Sequence, residues 1–128
     1  MARKQPDGLW RLQALDPESP EGLPESATSA FTAAAGQIGT DDVFYGGALV
    51  VDAAALSELT GFNPSVGDTI PPSSVKRGAE AAGADRVKAL ANRQPHLRAH
   101  YAALGVFLRV CAAQRLAIIP GAHAVRKR

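Results

Sequence analysis

The sequence predicts a mainly α protein (α+β with one or two short strands). It should form a small helical body with a long C-terminal helix and an extended N-terminal arm. Three observations carry this expectation. From Leu97, apolar residues recur at alternating steps of four and three through Tyr101, Leu104, Leu108 and Cys111 to Ile118, with Arg115 in the slot between the last two. That is the period of one helical face. Capping residues and glycine stops bracket shorter runs, as from Asp52 to Gly61. Residues 43–51 have the β-branched and aromatic density that makes them the best strand candidate.

The elements follow in order. In residues 1–27, Pro6, Pro17, Pro20 and Pro24 recur among Asp16, Glu18, Glu21 and Glu25. This segment has too little apolar surface to offset the cost of ordering and reads as an extended arm. Within it, Trp10 with Leu9, Leu12 and Leu15 forms an apolar patch beside Arg3, Lys4 and Arg11. Trp10 and Leu12 read as an anchor for a groove, either on a neighbouring subunit or on the chain's own body.

The body spans residues 28–121. Ser29 caps a short helix over 30–35 that ends at Gly36, and residues 37–42 form a turn. The strand at 43–51 is interrupted by Gly46-Gly47, which suggests a bulge or a close backbone approach. Asp52 caps a helix over 53–60 with Gly61 as its stop. Residues 62–72 form a loop with one short strand near 66–70. Ser73 or Ser74 caps a helix over 75–82 ended by Gly83, and Asp85 caps the next over 86–93. Pro95 suits the first turn of the long helix, which is expected to reach about residue 118 before Pro120-Gly121. Residues 122–128 form a basic tail.

Charge divides the chain sharply. The first 85 residues hold five bases and all twelve acids, a net of −7. Residues 86–128 hold nine bases and no acid, a net of +9, with all three histidines. Such asymmetry speaks of partners rather than of fold. A single cysteine excludes an internal disulfide, and no apolar run follows the first basic residues as a signal peptide would require. The apolar stretch 99–119 is broken by Arg109, Gln114 and Arg115, which argues against a membrane span. The expected setting is the cytoplasm or an assembled virion.

The sites each have a plainer reading. His96 and His100 share a helical face at metal-binding spacing, but nothing nearby in the sequence completes a ligand set. Cys111 lies on the apolar stripe, the wrong place for an activated thiolate. Gly36-Gln-Ile-Gly39 lacks the Gly-Lys-Ser/Thr ending of a phosphate loop, and Asp41-Asp42 follow it. Asp52 stands at a strand–helix junction, where it serves as an N-cap. No cofactor, metal or catalytic constellation is expected.

Residues 75–93 pattern as helix, Gly83, helix, and loosely resemble helix-turn-helix DNA binders. Arg86, Lys88 and Arg93 would then meet phosphates or bases. The terminal Arg126, Lys127 and Arg128 could grip phosphates or an acidic partner. The face through Arg98, Ala102, Gly105, Arg109 and Ala112 is small between its arginines and permits close approach by another helix or a strand.

The functional expectation is a non-enzymatic assembly subunit of a larger complex, such as a virion or head–tail connector. It would bridge protein neighbours in a homo- or hetero-oligomer through an anchored arm and oppositely charged ends. The alternative is a small DNA-binding protein.

Overall fold

The computed structural model describes residues 9–18, 25–38, 44–45, 48–61 and 69–123. Among these residues five helices and a four-stranded antiparallel sheet make one body; the helical body and its long C-terminal helix are as the sequence predicts, while the sheet has more than the one or two strands expected. The order is β1 (Leu9–Leu15), α1 (Glu25–Ile38), β2 (Phe44–Tyr45), β3 (Ala48–Asp52), α2 (Ala53–Thr60), α3 (Pro72–Ala81), α4 (Ala84–Arg93), α5 (Arg98–Ala113) and β4 (Ala117–His123). The strands lie in the order β2-β3-β1-β4.

Residues 9–15 are a sheet strand rather than a free arm, and of the two readings of Trp10 the structure bears out docking on the chain's own body. Trp10 and Leu12 are buried while Arg11 and Gln13 are exposed, the two-residue alternation of a half-buried strand. β1 pairs with β3 on one side, Trp10 opposite Val51 and Leu12 opposite Leu49. It pairs with β4 on the other, Trp10 opposite Ala122 and Leu12 opposite Pro120. A strand between two neighbours satisfies its backbone groups on both edges. Its apolar residues then fill the core instead of reaching outward.

β2 and β3 replace the single strand expected over residues 43–51. Phe44 opposes Leu49 and Tyr45 opposes Ala48. The two strands pair antiparallel. Gly46-Gly47 themselves lie outside the described residues, as do Gly39 and Asp41-Asp42 of the expected turn.

The helix boundaries follow local chemistry. α1 is longer than expected: it begins at Glu25 rather than after Ser29 and runs through Gly36 to Ile38. An acid in a first turn complements the helix dipole. α2 runs as the sequence predicts: Asp52 accepts from the Ala54 N–H at 2.8 Å, and Gly61 takes a left-handed conformation with φ 78°. Replacing Asp52 by alanine is expected to cost about 1 kcal/mol, while asparagine preserves stability within a few tenths; thermal melts of the two variants check this. α3 starts with Pro72 rather than after a serine cap, and α4 starts at Ala84 with Asp85 inside its first turn. Proline at the first helical position has no N–H to leave unpaired.

α5 stops at Ala113, earlier than the apolar stripe implies, and residues 117–123 form β4 instead. The Leu116 N–H donates to the Cys111 carbonyl at 2.8 Å and the Arg115 N–H to the Ala112 carbonyl at 3.2 Å. Arg115 is left-handed at φ 59°. This is a Schellman stop with arginine where glycine is usual. Arg115→Gly is therefore expected to stabilise the fold by about 0.5–1 kcal/mol, read as a higher urea midpoint. Pro120 survives within β4 because β4 is an edge strand, where a missing N–H costs no ladder bond.

A 3-10 turn at Pro95–Leu97 leads into α5. α5 is the central element, packed against α1, α2, α3, α4 and β3. Tyr101, Leu104, Phe107, Leu108 and Cys111 are fully buried on it. Phe107 stacks on Phe31 of α1, with ring centroids 5.1 Å apart at 26°. The long helix is thus the core of its own chain.

Interleaving also redistributes the charge. β1 from the acidic half lies between β3 and β4, and α1 packs on α5 from the basic half. Among the described residues the two halves of the chain are therefore not separate bodies. What remains is a local concentration of cations on α4 and α5.

Candidate functional site

α4 and α5 converge at Gly105. A methyl group built there would lie 3.4 Å from Val87 Cγ2 and 3.7 Å from the Ala82 carbonyl oxygen. Glycine at this position leaves Val87 and the Ala82 carbonyl at ordinary contact distance from where a side chain would begin. Beside the contact they leave an open cleft of about 380 Å³. Its floor is Ala84, Val87 and Ala91 of α4 with Ala102, Gly105 and Val106 of α5. Its rim is polar: Lys88 and Asn92 on one wall, Arg98 and Arg109 on the other. All four rim residues are exposed. Among the described residues no acidic side chain lines the cleft.

The rim has a regular geometry. Arg98 and Arg109 are eleven residues apart on α5, so they share one helical edge about 16 Å apart. Lys88 stands across from them. Three exposed cations beside an apolar floor give a surface that favours an anionic, partly apolar occupant.

The remaining sequence candidates separate. Trp10 is 8% exposed and Leu12 1%. Both belong to the main core cluster, so neither offers a surface anchor. The Arg86 guanidinium donates to the Glu58 carbonyl at 2.9 Å. It thereby satisfies a carbonyl in the last turn of α2, where a cation also complements the helix dipole. On α4, Arg93 lies within about 20° of Arg86, while Lys88 is about 140–160° away from both. Lys88 of the supposed recognition helix thus faces away from the side that Arg86 and Arg93 share. Arg126, Lys127 and Arg128 lie outside the described residues.

Polar groups near the start of α5 serve the fold. The His100 Nδ1 accepts from the Asp52 N–H at 3.2 Å, tying α5 to the β3–α2 junction. The Gln94 amide donates to the Tyr101 hydroxyl at 2.9 Å. Burial, with Glu58 nearby, raises the Tyr101 phenol above the usual tyrosine value. Among the described residues, no group of three or more His, Cys, Asp or Glu side chains is placed to hold a metal.

Cys111 is fully buried, and desolvation raises its thiol well above the ordinary value. It should resist iodoacetamide in the native protein at neutral pH and react fully once urea unfolds the chain, as mass spectrometry would show. Among the described residues no helix is long and apolar enough to cross a membrane.

Arg98, Arg109 and Asn92 were not among the residues the sequence singles out for partner binding. The spacing of Arg98 and Arg109 around Ala102 and Gly105 was legible. Their partnership with Lys88 required α4 to dock on α5. Comparison of the chain with protein-family models, with curated proteins and with solved structures finds no match to any of them.

Proposed function

We propose that this protein is a non-enzymatic assembly subunit that holds an acidic protein partner on the groove between α4 and α5. One observation carries the reading: Lys88, Arg98 and Arg109 surround an apolar floor with no acid among the lining residues. A rim of one sign steers an oppositely charged partner, and the floor adds apolar burial on contact. The inward use of Asp52, His100 and Cys111 supports a binding role over a catalytic one. The setting would be the cytoplasm or an assembled particle such as a virion.

The test is native mass spectrometry and light scattering of the protein isolated from its source, with and without nuclease, at low and high salt. A fixed protein stoichiometry that survives nuclease supports the reading. A complex that nuclease dissolves, with affinity falling steeply as salt rises, returns the protein to the DNA-binding alternative. In that event, Arg86→Ala should weaken the complex alongside Lys88→Ala.

A further inference from the structure

The occupant of the groove can be named by its chemistry. We infer that it is an amphipathic helix of a protein partner. That helix carries acids about eleven residues apart along one edge of a small apolar face, with a further acid on the opposite edge. This rests on the assembly reading above and adds the identity of the bound element.

The floor supplies the first argument. Ala84, Ala91, Ala102 and Gly105 are small, and Val87 and Val106 are half-buried between them. Two helices presenting small residues on one side let a third seat in their groove at ordinary interhelical distance, about 8–10 Å. A peptide binding by strand addition would instead need open backbone groups along a sheet edge, and both walls here are helices.

Charge supplies the second argument. Arg98 and Arg109 repeat at eleven residues, which brings both to one edge of α5 within about 20°. A helix lying along α5 would repeat its own acids at the same interval. Lys88 on the α4 wall requires an acid on the other edge. Asn92 beside it can donate to or accept from either kind of polar group.

Duplex DNA fits the groove less well. Phosphates favour cations that protrude on one accessible face, whereas Arg86 is tied to Glu58 and Arg93 faces away from Lys88. Seating a duplex over the cleft would leave the apolar floor uncovered.

The experiment uses the full chain and a synthetic helix of about 18 residues, long enough to populate helix in water. Its glutamates follow the spacing above, around a face of Leu and Ala. Fluorescence anisotropy compares it with a scrambled peptide of identical composition, with a short DNA duplex and with laurate as a simple anionic amphiphile. The patterned peptide is expected to bind at roughly micromolar Kd, at least about tenfold tighter than the scrambled one. Lys88→Glu and Arg109→Glu should each weaken it about tenfold or more, and Arg93→Glu should leave it unchanged. A peptide with lysine in place of the facing glutamate should restore binding to the reversed variants. Thermal melts establish that every variant is folded.

Equal binding of the scrambled peptide would overturn the inference, because charge alone would then suffice. So would displacement of the peptide by duplex or laurate at concentrations below those at which the unlabelled peptide competes. If the peptide fails while the nuclease-resistant native complex persists, the helix assignment is lost and the assembly reading stands. If the native complex is also absent, both fall.

Discussion

Replacing Trp10 by alanine is expected to lower the stability of the fold by about 3–5 kcal/mol. The indole is 8% exposed and lies on the central strand of the sheet, opposite Val51 and Ala122. Truncation removes a large apolar contact and leaves a void between sheet and helices, so lost transfer energy and cavity cost add. Against a typical stability of about 5–15 kcal/mol, this is a large share of the total. Urea unfolding followed by far-ultraviolet circular dichroism should show a much lower midpoint. Trp10→Phe should lose less, because most of the volume is kept. Trp10 is the chain's single tryptophan, so native emission should be blue-shifted and protected from iodide. A Trp10→Ala protein as stable as the parent would mean that β1 does not belong to the core, and would return Trp10 to the role of an outward anchor.

Phe107→Ala is the second large change, also expected to cost about 3–5 kcal/mol. Phe107 is fully buried on α5 and stacks on Phe31 of α1. The stacked pair contributes about 0.5–1.5 kcal/mol beyond its area. A double-mutant cycle with Phe31→Ala should therefore show coupling of at least that size. Additive losses would indicate that α1 docks on α5 without help from the ring pair. Phe107→Leu, which keeps most of the apolar volume, should cost clearly less than alanine.

These two residues were legible to different degrees. Phe107 stood beside an apolar stripe whose period announces a buried helix face. Trp10 stood in a segment whose prolines and glutamates read as an arm. The alternation of Trp10, Leu12 and Ala14 with Arg11 and Gln13 was present as a strand signal. It was outweighed by the composition around it. Segment averages hide a seven-residue strand when its partners, here β3 and β4, are distant in sequence.

β4 was missed for a related reason. Pro120-Gly121 reads as the end of a helix, and the apolar residues before it continue the helical period. Arg115 breaks that period with a left-handed backbone that no residue preference would place there. Once the helix has stopped, the same apolar residues pair with β1. Gly46-Gly47 likewise read as a bulge or a close backbone approach within one strand, whereas the pairing of Phe44 with Leu49 makes two strands.

The sequence by itself determined the mainly α class, the buried face of α5, the capped helix from Asp52 to Gly61 and the inert environment of Cys111. Each follows from local chemistry: period, caps and burial along one element. The tertiary structure alone decided that the N-terminal segment is a central strand and that the acidic and basic halves interleave. It also decided that Lys88 shares a groove with Arg98 and Arg109. Those outcomes depend on which distant segments meet, and meeting is set by strand pairing and by the close fit of small residues between helices. Neither leaves a complete signal in any one stretch of the chain.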